Sequence, residues 1–348
     1  MIAQQETTPT QVFKEFILVP HTHWDREWYL TFQQFRAKLV DLFDQLLELL
    51  NADPQYPAFT LDGQTIMLED YLAVRPERRG ELAQRIAQGR LLVGPWYVMP
   101  DEFLVSPEAI VRNLLLGRRL AQEFGGGMDV GYVPDPFGHI AQLPQILQGF
   151  GIDCALFMRG MGDEGEALGD VFLWEAPDGS AVLAHHQLTS YGNAANLPLD
   201  PDLAARLVRN VATRMARLAV TPVLLLNNGS DHLRPQPALR RIVQELEQRL
   251  DRHVEFGSHR AYIERVKAHR PALKRFRGEL RGGRYAMLLP SVLSTRMYLK
   301  QANHQVQTAL ERWAEPVAAL AWALGHRYPA GLLQEAWRLV LQNHPHDS

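Results

Sequence analysis

The stretch His21-Thr22-His23-Trp24-Asp25-Arg26-Glu27-Trp28-Tyr29 directly follows the apolar run Phe16 to Val19. In a strand, alternate side chains share a face. His23 and Asp25 can therefore converge on one point, as imidazole and carboxylate ligands of a divalent cation must. Trp24 and Trp28 bracket these groups with flat apolar surface suited to sugar rings. A second group, Tyr132-Val133-Pro134-Asp135-Pro136-Phe137-Gly138-His139, follows the short apolar segment Met128 to Tyr132 and precedes a helix-like run, Ile140 to Phe150. Asp135 is thus expected at a strand-to-helix junction, with Pro136 opening the first helical turn and Gly138 permitting close backbone approach. There it could cap the helix or act as a catalytic carboxylate. A third group, Asn343-His344-Pro345-His346-Asp347, ends the chain. Only tertiary structure can bring the three together.

The sequence between them reads as strands alternating with helices. Phe35, Leu39, Leu42, Phe43, Leu46, Leu47 and Leu50 fall at helical spacing after the first group. Strands are expected at Ala58 to Leu61, Leu91 to Val93, Met128 to Tyr132, Ala155 to Met158 and Val223 to Leu226. Helices are expected at Pro107 to Phe124, Pro201 to Leu218 and Pro237 to Leu250. The alternation predicts an α/β fold, a mostly parallel sheet covered by helices, with functional groups at the carboxyl ends of strands. His23, Asp135 and Asp231 fall at such ends. The Arg- and Gly-rich texture of Arg270 to Pro290 places a boundary near residue 270, to within about ten residues. It separates an α/β domain (1–270) from long helices expected over Ser294 to His326 and Leu332 to Asn343 (271–348).

Hydrophobic content of 46% and a net charge of −3 are ordinary for a globular enzyme and give no electrostatic reason to expect nucleic acid. No run approaches the roughly 18 apolar residues of a membrane span. Met1 to Thr10 is polar, without the basic-then-apolar pattern of a signal peptide. The single cysteine, Cys154, lies in an apolar run and reads as buried filler. These features fit a reducing compartment and predict a cytoplasmic protein. Any bound metal must then be held by nitrogen and oxygen.

His21 to Tyr29, Pro134 to His139 and Asn343 to Ser348 together resemble the three hallmarks of glycoside hydrolase family 38, the zinc-dependent retaining α-mannosidases. Val98 to Glu102, Gly229 to His232 and Val292 to Tyr298 match supporting segments in the same order, so the resemblance spans essentially the whole chain. Asp-Arg-Glu-Trp in the first motif is similar to the cytosolic bacterial branch, which includes mannosylglycerate hydrolase-like members. Secretory-pathway enzymes usually read Asp-Pro-Gly-Trp there. The resemblance implies a seven-stranded-barrel-like catalytic domain followed by the start of an α-helical bundle. Family members are longer and carry further β-rich domains, so the chain is expected to be an N-terminal fragment.

By that resemblance the metal ligands are His23, Asp25, Asp135 and His346, with Zn2+ the expected ion and Co2+ or Mn2+ tolerated. Asp135 is also the nucleophile, and Asp231 the general acid/base, although Ser230 stands where many members have a further Asp. Retention would place the two carboxyls about 5–5.5 Å apart. Trp28 and Phe137 are implied as the platform beneath the sugar. Arg159 is implied near the nucleophile, where it would orient Asp135 or be solvated. Tyr191, Asp101 and Glu102 are weaker candidates for substrate contact. His21, His139 and His344 are expected to support the ligands rather than to be ligands.

The implied activity is hydrolysis of terminal α-D-mannosidic bonds through a covalent mannosyl-enzyme intermediate, on a mannosyl oligosaccharide or mannosylglycerate. A homo-oligomer of the full-length protein is compatible with this, and a membrane partner is not expected. Two other classes share part of the pattern. A metal-dependent carbohydrate deacetylase or amidohydrolase would activate water and need no second carboxyl as proton donor. A sugar-binding fragment would keep the platform and metal without turnover.

Overall fold

The computed structural model describes residues 12–348; the segment read as lacking a signal peptide, Met1 to Thr10, lies outside them. Ten strands are named in chain order: β1 (Glu15–Thr22), β2 (Phe59–Leu61), β3 (Leu91–Leu92), β4 (Gly131–Val133), β5 (Cys154–Phe157), β6 (Val171–Glu175), β7 (Ala181–His186), β8 (Val223–Asn228), β9 (Val254–Phe256) and β10 (Arg275–Arg277). One sheet has the order β3-β2-β1-β8, with β9 also paired to β1; the other runs β10-β6-β7-β5-β4. Every pairing is parallel except β6 with β7. This is the α/β architecture expected from the sequence.

Strand alternation explains why both faces are apolar. Ile17 and Val19 of β1, Cys154 and Leu156 of β5, and Val223 and Leu225 of β8 join one buried cluster, so the two sheets share an interior. Leu18 and Leu224 turn the other way, against helix Phe32–Ala52 and its neighbours. Ala155 and Phe157 likewise turn toward helix Leu143–Gly149. Such two-sided burial is what a parallel sheet requires. Cys154 lies in that interior, and burial pushes its thiol up to about 11, so it is inert filler.

Local signals set the helix starts. Ser106 accepts a hydrogen bond from Ala109 N (3.0 Å) ahead of Pro107–Glu123, and Asp200 accepts from Asp202 N and Leu203 N ahead of Pro201–Ala216. Both helices carry Pro in the first turn, where a missing N–H costs nothing.

Two expectations are corrected. Pro136 does not open a helix: residues 134–137 form bends, and the helix begins at Leu143. Pro136 O accepts from Gly138 N, Gly138 turns to φ +100°, and His139 pairs with Leu280, which spends the backbone before a helix can form. The helix expected from Ser294 begins at Met297, because Arg296 is left-handed (φ +51°) and ends propagation toward its N-terminus. It then runs through a π-helical turn, Leu310–Ala314, to Ala323. Pro316 follows that turn and lacks the N–H that a regular ladder would use. Strand β10 lies beyond residue 270 and still pairs with β6. Among the described residues no helix is long and apolar enough to cross a membrane.

Candidate active site

The parallel strands end toward one rim, and the chemistry-bearing residues follow those ends. His23 and Asp25 follow β1, Asp135 follows β4, Arg159 follows β5, Tyr191 follows β7 and Asp231 follows β8. His23 and Asp231 extend the β1–β8 ladder by one further parallel bridge. The last group arrives from the C-terminal segment through an antiparallel bridge between Pro100 and Pro345.

Side chains from all three sequence groups meet there. His23 Nε2 lies 3.2 Å from Asp25 Oδ1 and 3.7 Å from Asp135 Oδ2. His346 Nε2 lies 3.5 Å from Asp25 Oδ1 and 3.3 Å from Asp135 Oδ2. All four residues are buried. His23 Nε2, Asp25 Oδ1 and His346 Nε2 are buried without a hydrogen-bond partner, a costly state unless something between them takes their lone pairs. Ligand atoms around an ion with bonds of about 2.0–2.1 Å lie about 3.3 Å apart, close to these four spacings. The donor set therefore fits a divalent cation. Asp347 approaches Asp25 and His346 closely enough to join the group.

Electrostatics agree with that fit. Burial would raise the Asp25 and Asp135 carboxyls. The neighbouring His23 and His346, with Arg159 beside Asp135, outweigh it and hold both below the usual range. Burial would lower His346, but its contacts with Asp135 and Asp25 lift it to about 9. Two carboxylates held ionised thus face two imidazoles that those carboxylates draw toward protonation.

Arg159 is not solvated. Its Nε donates to Asp135 Oδ1 (2.7 Å) and to Asp135 O (3.1 Å), and Nη1 donates to Met287 O. Tyr191 donates its hydroxyl to Asp231 Oδ1 (2.8 Å), and its ring centre lies 5.0 Å from that of His23. Phe137 is buried edge-on to His346, with the Arg159 guanidinium 5.7 Å from its ring centre. Trp28 is 53% exposed and stacks over His232, leaving a free apolar face. Trp24, in contrast, is 2% exposed and packs on Phe35 and His232, so it offers nothing to a sugar. The three unassigned histidines turn elsewhere: His21 donates to Tyr191 O, His139 to Glu102 and His344 to Asn303. A cavity of about 550 Å3 beside the cluster is lined by Glu27, Asp101, Lys300, Asn303 and His346.

A model of the glycosyl hydrolases family 38 N-terminal domain matches residues 14–279. The chain belongs to glycoside hydrolase family 38. Over 95% of its length it is 39% identical to a provisionally named mannosylglycerate hydrolase of Halalkalibacterium halodurans. It is 28% identical over 94% of its length to alpha-mannosidase 2C1 of Homo sapiens. The chain spans 38% and 31% of these two relatives' own lengths. Among solved structures, an alpha-mannosidase from Enterococcus faecalis V583 superposes with a TM-score of 0.91 at 35% identity, covering 96% of this chain and 39% of that one.

Within this family 38 member, the Asp-Arg-Glu-Trp wording has a structural reason. Arg26 forms a buried two-pronged pair with Asp70 (2.7 and 3.0 Å) and lies over the Phe32 ring, pinning the loop that carries Asp25 and Trp28. Two residues to which the sequence assigned no role, Asp62 outside the motifs and His232 within the Gly229 to His232 segment, adjoin the cluster. Asp62, fully buried after β2, accepts from His23 Nδ1 (2.9 Å) and Trp24 N (2.7 Å). A carboxylate behind a ligating imidazole fixes its tautomer and aim. The other is His232, whose Nε2 lies 3.7 Å from Asp25 Oδ2 and whose backbone is left-handed (φ +56°).

Proposed function

We propose that this protein hydrolyses terminal α-D-mannosidic bonds with retention of configuration, using a divalent cation, zinc by preference, held by His23, Asp25, Asp135 and His346. The observation that carries the reading is Asp135, aimed by Arg159 into the His23–His346 pair on the rim shared with Asp231 and its partner Tyr191. Such a cation would supply Lewis-acid attraction for sugar hydroxyls. The remaining steps belong to side chains. Trp28 offers its exposed face to the sugar ring, and Arg159 fixes the Asp135 carboxylate in its ionised form. Asp135 attacks the anomeric carbon as the bond to the leaving oxygen breaks, and Asp231 gives that oxygen its proton. Asp231 then takes a proton from water, which attacks the same carbon and releases Asp135.

Residues 1–270 are read as the catalytic domain and 271–348 as the beginning of a helical bundle, working in the cytoplasm. The kinship with a protein named for mannosylglycerate favours α-mannosides with a small leaving group. A deacetylase would activate water at the cation and would not need a second carboxyl such as Asp231 as proton donor. The test is chelation followed by zinc add-back on an aryl α-mannoside, with elemental analysis of the wild type, His23→Ala and Asp25→Ala. Activity restored by zinc, with metal lost from both variants, supports the reading. Full activity after chelation, or undiminished metal in a variant, overturns it for that residue.

A further inference from the structure

Gln64 is 2% exposed and reaches no substrate-facing surface, yet all the hydrogen-bonding capacity of its amide nitrogen is spent within the framework of the site. Its Nε2 donates to Trp24 O (2.9 Å) and to Asp62 Oδ2 (2.8 Å), and its Oε1 accepts from Met99 N (2.9 Å). Asp62 in turn holds His23 Nδ1, while Met99 O accepts from His346 N (3.1 Å). One amide thus stands between the residue behind His23 and the backbone that carries His346. We propose that Gln64 is a positioning residue that sets the spacing of His23 and His346, and through it the affinity of the site for a divalent cation. This rests on reading that cluster as a metal centre.

The polarity of the side chain is what matters. A buried amide is expensive unless its donors and acceptor are met, and here both N–H groups and the oxygen are used. An apolar residue of the same size would fill the space but leave Met99 N and Trp24 O unpaired. A glutamate would keep the shape and could still accept from Met99 N. It could not donate to Asp62 or Trp24 O, and it would set a second carboxylate against Asp62. Either change removes one of the three hydrogen bonds that fix Asp62, the others coming from His23 Nδ1 and Trp24 N, and so loosens the aim of His23. Conservation of volume alone therefore does not preserve the site.

The experiment compares wild type with Gln64→Glu and Gln64→Met, each stripped of metal and titrated with zinc against a chromophoric chelator. Cobalt(II) loading gives the visible spectrum of each, and melting of the metal-stripped proteins gives their stability. Partners of this kind typically cost about 10- to 100-fold in metal affinity. We expect zinc binding at least about tenfold weaker in both variants and altered cobalt bands, beyond any change in metal-free melting. If Gln64→Glu does not fold, Gln64→Met carries the comparison. Wild-type affinity and an unchanged cobalt spectrum in a folded variant would overturn the role of Gln64 while leaving the metal centre standing. A wild type that binds neither ion would overturn both.

Discussion

Asp170 offers a perturbation whose size can be worked out from its surroundings. It precedes β6, is 1% exposed, and accepts from Val220 N (2.8 Å). No Lys, Arg or His pairs with it among the described residues. Burial pushes its carboxyl from 3.8 up to about 7. A group whose pKa rises on folding binds its proton more tightly when folded. The stability this carboxyl contributes is full below about pH 4 and is lost as pH rises through about 7. Three units at about 1.4 kcal/mol each put the loss at roughly 4 kcal/mol. Asp170→Asn keeps an oxygen for Val220 N and abolishes the ionisation. Variant minus wild-type stability, from urea unfolding of metal-stripped protein, should climb between pH 5 and 7 and level off above. Any cost of burying the new amide N–H moves the whole curve and leaves its slope. Titrations at the His23–His346 cluster, which shares no hydrogen-bond partner with the Asp170 carboxyl, cancel in the difference. A difference that is flat from pH 5 to 8 would refute the assignment.

Other outcomes follow from the same geometry. Asp135→Ala should abolish turnover with every leaving group, whereas Asp231→Ala should retain far more activity on activated aryl mannosides than on poor leaving groups. Equal losses across a leaving-group series would remove Asp231 as the acid. Asp70→Ala strands the buried Arg26 guanidinium and should cost about 3–5 kcal/mol by denaturant unfolding, and a cost under about 1 kcal/mol would contradict the clamp. Gly229→Ala would set a Cβ 1.9 Å from His21 O. It should prevent β8 from closing on β1, read as loss of cooperative unfolding; a well-folded variant would refute that close approach.

Much of the site was legible because its residue types are unusual and sit at strand ends, where His23, Asp25, Asp135 and Asp231 declare themselves. Asp62 did not, since a lone Asp before Gly63 looks like an ordinary turn and its partner lies on another strand. The bond from His139 to Glu102 depends on a contact that no spacing encodes. The β6–β7 hairpin carries a local signal in the sequence: Pro177-Asp178-Gly179-Ser180 forms its turn, closed by Ala176 N to Ser180 O, with Gly179 at φ +90°. The false helix after Pro136 shows the opposite failure, a sound local preference overruled by pairing with the distant Leu280.

Retention through Asp135 is decided by the anomer that is released first. Zinc-loaded protein is mixed with an aryl α-mannoside and followed by proton NMR before mutarotation sets in. Retention releases α-mannose first, and β-mannose appears only later, as the anomers equilibrate. β-Mannose as the first product, or release of no mannose at all, would contradict it.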